Sequence, residues 1–373
     1  MDSCRRNGRL PGDGRPSGRW AFFVVPAFAA AAALSVALSG QAPAAWPPPT
    51  LRDTGLYSDW ATRTVSPDNL PFSPQYPLWS DGAQKSRWLH IPDGAFIDGS
   101  DPDAWTFPVG TRVWKEFRFA RRAETRLIER SPSGWRYAAY AWNDDETEAT
   151  IVPEGGMKYS VPIRDGVRHG IPSRADCRAC HEAGPARLLG VTALQLSPDR
   201  DPNAPHAEAP PPGAIDLTTL VSRGLVRGTP AHVLNPPPRV AAASPTERAA
   251  LGYLHSNCGS CHVATGELHS LAFALNYTLN RPPGEPAPAL ATSVGQPSHF
   301  KVPDADDVRE RIARGDPDRS VVIARMATRN PLVQMPPLAT RIVDDEAVRL
   351  IRRWIAEETG PRQPVHDTGG KKR

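Results

Sequence analysis

The chain has 373 residues, enough for two or three domains with a buried core, and 44 Lys and Arg against 40 Asp and Glu leave a formal charge of +4. Arg5, Arg6, Arg9, Arg15 and Arg19 against Asp2 and Asp13 account for +3 of it, so the chain beyond residue 44 is near +1. That balance, with no basic run interleaved with aromatics, excludes a nucleic-acid-binding surface; no phosphate loop, Ser-His-Asp order or His-Glu-x-x-His supports a hydrolase.

Residues 1–44 read as an export signal. An Arg-rich stretch ends at Arg19, an apolar run follows from Trp20 to Leu38, and Ala42-Pro43-Ala44 is a signal-peptidase type of site. The expected location is the periplasm. The same run is long enough to act as an N-terminal membrane anchor if it stays uncleaved. Cys4 lies on the wrong side of the run for lipid attachment.

The expected fold class is α+β and multidomain. A β-sandwich-like domain spans 51–165, a first cofactor-binding segment 166–238, an all-α domain 244–358 and a flexible tail 359–373. Arg112–Phe119, Thr125–Ser131 and Trp135–Trp142 are short aromatic and branched runs, and Ser131 to Gly134 makes a turn between two of them, giving an antiparallel meander. Trp114, Phe117, Phe119, Trp135, Tyr137, Tyr140 and Trp142 supply its core. Pro210–Pro212 and Pro236–Pro238 mark seams, because proline lacks a donor and favours extended chain. Ser244-Pro245-Thr246-Glu247 is a capping box that opens a helix ending at Cys258. Ala347, Leu350, Ile351, Trp354 and Ile355 repeat at helical spacing behind Asp344, Asp345 and Glu346, where the helix dipole favours negative charge.

Of five cysteines, Cys4 leaves with the signal and the rest form two Cys-x-x-Cys-His groups: Cys177/Cys180/His181 and Cys258/Cys261/His262. Two thiols one helical turn apart reach the two vinyl groups of one haem, and the histidine that follows presents its imidazole to the iron. The expected cofactors are therefore two covalently bound haem c groups. Zinc is the main competing use of such cysteines, but the pairs are far apart and each carries its trailing histidine. No cysteine is left for a disulfide.

Residues 244–358 resemble a class I cytochrome c domain: a capped helix before Cys258, a methionine in the loop Gln334-Met335-Pro336-Pro337-Leu338, and a final amphipathic helix. The resemblance implies that Met335 is the second iron ligand opposite His262. A soft thioether favours ferrous iron, and flanking prolines stiffen the loop. Met326 is the rival, although its helix-like surroundings suit core packing. No methionine lies between His181 and Cys258, so the first group cannot copy this arrangement. Its sixth ligand is left among His169, His206, His232, His255, Met157 or none, with His169 favoured for lying just upstream of Cys177.

The whole chain beyond the signal resembles a group of proteobacterial two-haem c-type cytochromes, through Pro71 to Gly82, Ile171 to His181, Leu189 to Leu196 and Asn257 to His262. The resemblance implies two haems in this domain order and brings no reaction with it; the leading expectation, one-electron transfer between a periplasmic donor and a terminal acceptor, comes from haem iron cycling between ferric and ferrous. The middle motif is similar to one fused to sugar-dehydrogenase-like modules, which points to a dehydrogenase as partner. Two other functions compete with this carrier role. One is a di-haem peroxidase-like enzyme with an open first haem. The other is a haem-based binding or sensing module in which Asp81, Asp144, Asp145 and Glu146 help the β-rich domain recognise a ligand.

Overall fold

The aromatic runs form the centre of one six-stranded antiparallel sheet. Its strands are β1 (Leu70–Pro71), β2 (Gln84–His90), β3 (Arg112–Arg118), β4 (Arg122–Ser131), β5 (Gly134–Trp142) and β6 (Ala149–Ile151), side by side in chain order. This is a computed structural model that describes residues 46–158 and 160–359. The expected signal at 1–44 lies outside the described residues, as does the expected tail save Thr359. Among the described residues no helix is long and apolar enough to cross a membrane.

β4 and β5 close as a hairpin in which Ser131 pairs with Gly134, whose φ of 130° suits glycine. Side chains alternate across the sheet, so one face carries Trp114, Leu127, Ala138 and Tyr140 and the other Leu89, Val113 and Ile128. Leu51 and Leu56 cover the first face; Leu188, Val191, Leu217 and Leu220 cover the second. Among the described residues the remaining strands form only two-stranded ribbons, so there the sheet is faced by loops and short helices and not by a second large sheet. Trp135 and Phe119, both expected in the core, are half-buried.

Helices dominate after residue 173: α1 (Arg174–His181), α2 (Pro245–Asn257), α3 (Val321–Met326) and α4 (Asp345–Glu358) are the ones that bear on the sites. The chain thus has a β-rich N-terminal region and a helical C-terminal region, as expected. Pro245 takes the first position of α2, Ser244 Oγ accepts from Glu247 N, and Cys258 follows the helix end. Asp344 caps α4 by accepting from Ala347 N. The stripe Ala347, Leu350, Ile351, Trp354 and Ile355 is buried against Ala249, Ala250 and Leu254 of α2. Trp354 is fully buried there, so Trp354→Ala is expected to cost about 3–5 kcal/mol, read as a fall in denaturation midpoint.

The extended segment 71–82 ties the regions together. Gln75 and Tyr76 bond Leu194 and Gln195, Trp79 N donates to Asn257 Oδ1 at 2.7 Å, and Trp79 Nε1 donates to Ile342 O. Asp81 Oδ1 accepts from Arg341 N and Ile342 N at 2.8 and 2.9 Å. Tyr76 packs so closely on α2 that a Cβ at Gly252 would lie 2.0 Å from its ring, which makes glycine obligatory there. The helix that ends at Cys258 is thereby fixed against the β-rich region.

Candidate cofactor sites

Ser173 and Asp176 close a capping box that starts α1, with Ser173 Oγ accepting from Asp176 N and Asp176 Oδ2 accepting from Ser173 N. One turn later Cys177, Cys180 and His181 edge a cavity whose walls are Phe72, Val113, Ile128, Tyr137, Leu188 and Val191. His181 Nδ1 lies 2.7 Å from Arg187 O. A carbonyl only accepts, so Nδ1 carries the proton and Nε2 keeps its lone pair for a metal. Burial lowers the His181 imidazole to about 4, opposed by the Arg187 bond, and thus keeps it neutral.

Cys258 caps α2, and the next turn is closed by His262 N donating to Cys258 O at 2.9 Å. Cys258, Cys261 and His262 edge a second cavity together with Phe273, Phe300, Met326 and Met335. Phe273 lies 4.8 Å from the His262 ring. Burial lowers His262 while the neighbouring Phe273 backbone opposes the effect, and its Nδ1 is buried without a well-formed partner. Empty space between the walls is about 1250 Å³ here and 1120 Å³ at the first site, solvent-open mouths included.

Among the described residues no two cysteines are joined in a disulfide. Burial raises Cys258 to about 12 and Cys180 to about 11, with Cys261 adding to both. That shared neighbour reflects the packing of the two groups. Cys261 Sγ lies 3.9 Å from Ala179 O, and a Cβ at Gly184 would lie 3.1 Å from Ser260 O. The loop after Met335 serves both: Pro336 and Pro337 line the second cavity, Leu338 and Ala339 the first.

The residues weighed as a sixth ligand for the first group are not brought into its cavity. His169 pairs back to Ser160 and Val161, and its Nε2 lies 2.7 Å from Glu124 Oε1 beside Phe119. That is the physical reason the favoured histidine does not meet His181. His206 bonds Asp344 at 2.8 Å against Trp79, and His232 is exposed. His255 Nδ1 accepts from Tyr277 N at 3.0 Å, so its proton sits on Nε2 and the ring has no free lone pair. Met157 lines an adjoining cleft that shares Pro172, Asp176, Leu338 and Ala339 with the first cavity. The acidic residues considered for ligand recognition have local partners: Glu146 binds Arg118 and Arg122, Asp144 binds Arg121, and Asp145 binds Thr147. Among the described residues no three or more His, Cys, Asp and Glu converge as a metal-ion ligand set.

Glu124, fully buried, also takes both arms of the Arg126 guanidinium. Burial alone would raise its carboxyl, but Arg126 and His169 outweigh it and hold it at about 2. A depressed carboxylate adds stability above its ordinary 4.5, lost as pH falls from there through about 2. Glu124→Gln is expected to flatten acid unfolding in that window and to cost about 3–5 kcal/mol at neutral pH, because Arg126 stays buried without its partner. Circular dichroism at stepped pH is the measurement.

Sequence reading missed the cations on these walls: Arg87, Lys115 and Arg126 at the first cavity and Arg311 and Arg325 at the second. The available signal was alternation, since Lys115 falls between Val113 and Phe117 on an otherwise apolar strand face. Comparison with protein-family models, curated proteins and solved structures found no match for this chain.

Proposed function

We propose that the chain is an exported, periplasmic electron-transfer protein carrying two covalent haem c groups. One is held by Cys177, Cys180 and His181, the other by Cys258, Cys261 and His262 with Met335 as sixth ligand. One observation carries this reading: each Cys-x-x-Cys-His group edges its own largely apolar cavity, and the two groups touch through Ala179 and Cys261. The donor sets fit the group, with paired thiols for two vinyls, a neutral imidazole with Nε2 free at the first site, and a thioether sharing the second cavity with His262.

Bound there, haem supplies an iron that alternates between ferric and ferrous and so moves one electron at a time. The chain's own residues do the rest. The cysteines fix position, Arg187 O holds the His181 ring, and the apolar walls exclude water. Packing of α2 against α4 around the second site supports the class I cytochrome c reading of 244–358, and the two sites together support the proteobacterial two-haem reading. Partners are periplasmic donor and acceptor proteins, a dehydrogenase among the donors.

The test is a pyridine haemochrome count with an EPR-monitored redox titration. Two covalent haems, both low-spin, are expected of a pure carrier; a chain without covalent haem sinks the proposal. A second reading rests on the absence of His169, His206, His232, His255 and Met157 from the lining of the first cavity. A haem held there would leave its remaining coordination position to a small molecule, as a peroxidase-like enzyme requires, and a high-spin first haem with peroxide turnover would favour this reading.

A further inference from the structure

The first cavity is walled on one side by β2, β3 and β4, and their register sets three cations in a row. Arg87 stands opposite Lys115, and Lys115 opposite Arg126. All three line the cavity that Cys177, Cys180 and His181 edge. Like charges directly opposite on neighbouring strands destabilise a sheet, so the row needs counter-charge. The protein supplies only part of it. Glu124 is committed to Arg126, and Glu208 is shared between Arg87 at 2.6 Å and Lys85 at 3.7 Å. Among the described residues the Lys115 ammonium has no ion pair or hydrogen bond, only the Phe117 ring 4.7 Å away. Arg87 is 5% exposed, yet its Nη2 is buried without a partner. The acid on the cavity wall, Asp176, is turned back to Ser173 at the start of α1.

A row of this kind in an otherwise apolar cavity is an anion seat, and the group expected there carries two carboxylates opposite its thioether edge. We infer that Arg87 and Lys115 hold the propionate carboxylates of the first haem, with Arg126 neutralised by Glu124 and Lys115 as a charge partner and not an iron ligand. The inference rests on the two-haem reading and adds to it a task for the β-rich region: the sheet supplies the anion-binding wall. Burial, reinforced by Arg87, Lys85 and Arg126 and opposed by Glu208, pulls the Lys115 ammonium well below its ordinary range. The second cavity has the same character, since Arg311 and Arg325 line it and bond only backbone carbonyls.

The test uses the purified full chain with its haems attached. A cation beside a propionate opposes the extra positive charge of ferric iron. Lys115→Gln is therefore expected to favour the oxidised first haem about tenfold, a fall in midpoint potential of about 59 mV, with haem count and absorption spectrum unchanged. Lys115→Arg keeps the charge and is expected to retain the wild-type potential and spectrum. A changed axial-ligand spectrum in either variant makes Lys115 an iron ligand and overturns the inference, as does a Lys115→Gln chain of wild-type potential. Should Lys115→Gln fail to accumulate, a Lys115→Arg chain with a displaced potential overturns it equally. A wild-type chain without haem on Cys177 and Cys180 sinks the two-haem reading and this inference together; an unmoved potential in a two-haem chain sinks only this one.

Discussion

On the proposed two-haem reading, replacing Cys177 and Cys180 together by alanine is expected to lower covalently bound haem from two per chain to one, and replacing Cys258 and Cys261 is expected to do the same at the other site. Each pair edges a separate cavity, so neither loss is compensated by the other. What would remain at the first site is a single imidazole bond from His181, which does not hold haem through denaturation. The measurement is pyridine haemochrome against protein concentration, with haem staining after a denaturing gel. The second pair is expected to cost more stability, because Cys258 packs against the cluster that holds Leu254, Met326 and Trp354. The haem's apolar contacts and iron–ligand bonds would form only in the folded chain, so the melting temperature is expected to fall with the haem. A double variant that still holds two covalent haems would mean the thioethers lie elsewhere, and the assignment of that site would fall.

What the sequence revealed about the fold depended on whether a residue's task is periodic. The stripe Ala347 to Ile355 announces a one-faced helix, and α4 buries that face. The aromatic alternation of β3 to β5, with Ser131 to Gly134 between two strands, gives three adjacent strands and their register. The segment 71–82 was quotable as a resemblance but not readable as structure. Its role is carried by bonds such as Trp79 to Asn257 and Asp81 to Ile342, which leave no period in the chain. α1 had a readable start, since Ser173 and Asp176 stand as Ser244 and Glu247 do, with a shorter acid in the box.

The sites divide along the same line. Cys177, Cys180 and His181, or Cys258, Cys261 and His262, are local in sequence, so their spacing alone brings each set to one cavity. The surroundings are long-range. His169 stood close to Cys177 in sequence, but a ribbon of Pro162–Arg164 with Val167–Arg168 turns the chain and its ring meets Glu124 of β4. Arg87, Lys115 and Arg126 become a row only through strand register, and no spacing within one strand announces it. The abutment of Ala179 and Cys261 likewise joins two motifs about eighty residues apart, which no local spacing announces.

Met335→Ala and Met326→Ala are expected to part cleanly, although both side chains line the second cavity. Met335 sits half-buried in its loop, where Met335 N donates to Arg325 O at 3.0 Å, Arg329 Nη1 donates to Met335 O at 3.3 Å, and Arg325 Nε ties Val333 O at 2.8 Å. Those bonds hold the backbone and leave the thioether free to ligate. Its removal takes away a soft ligand that favours ferrous iron, so the second haem is expected to become easier to oxidise, by at least about tenfold or 59 mV, with a changed visible spectrum. Met326, only 6% exposed, ends α3 in the cluster around Trp354. Its truncation is expected to cost about 2–5 kcal/mol through the void it leaves, with spectrum and potential kept. The reverse pattern, a spectrum altered by Met326→Ala and untouched by Met335→Ala, would move the ligand to α3. Since the loop after Met335 also borders the first cavity through Leu338 and Ala339, the titration should follow both haems. A shift confined to the second haem assigns the thioether to iron, whereas equal shifts in both would mean that the loop had moved as a body.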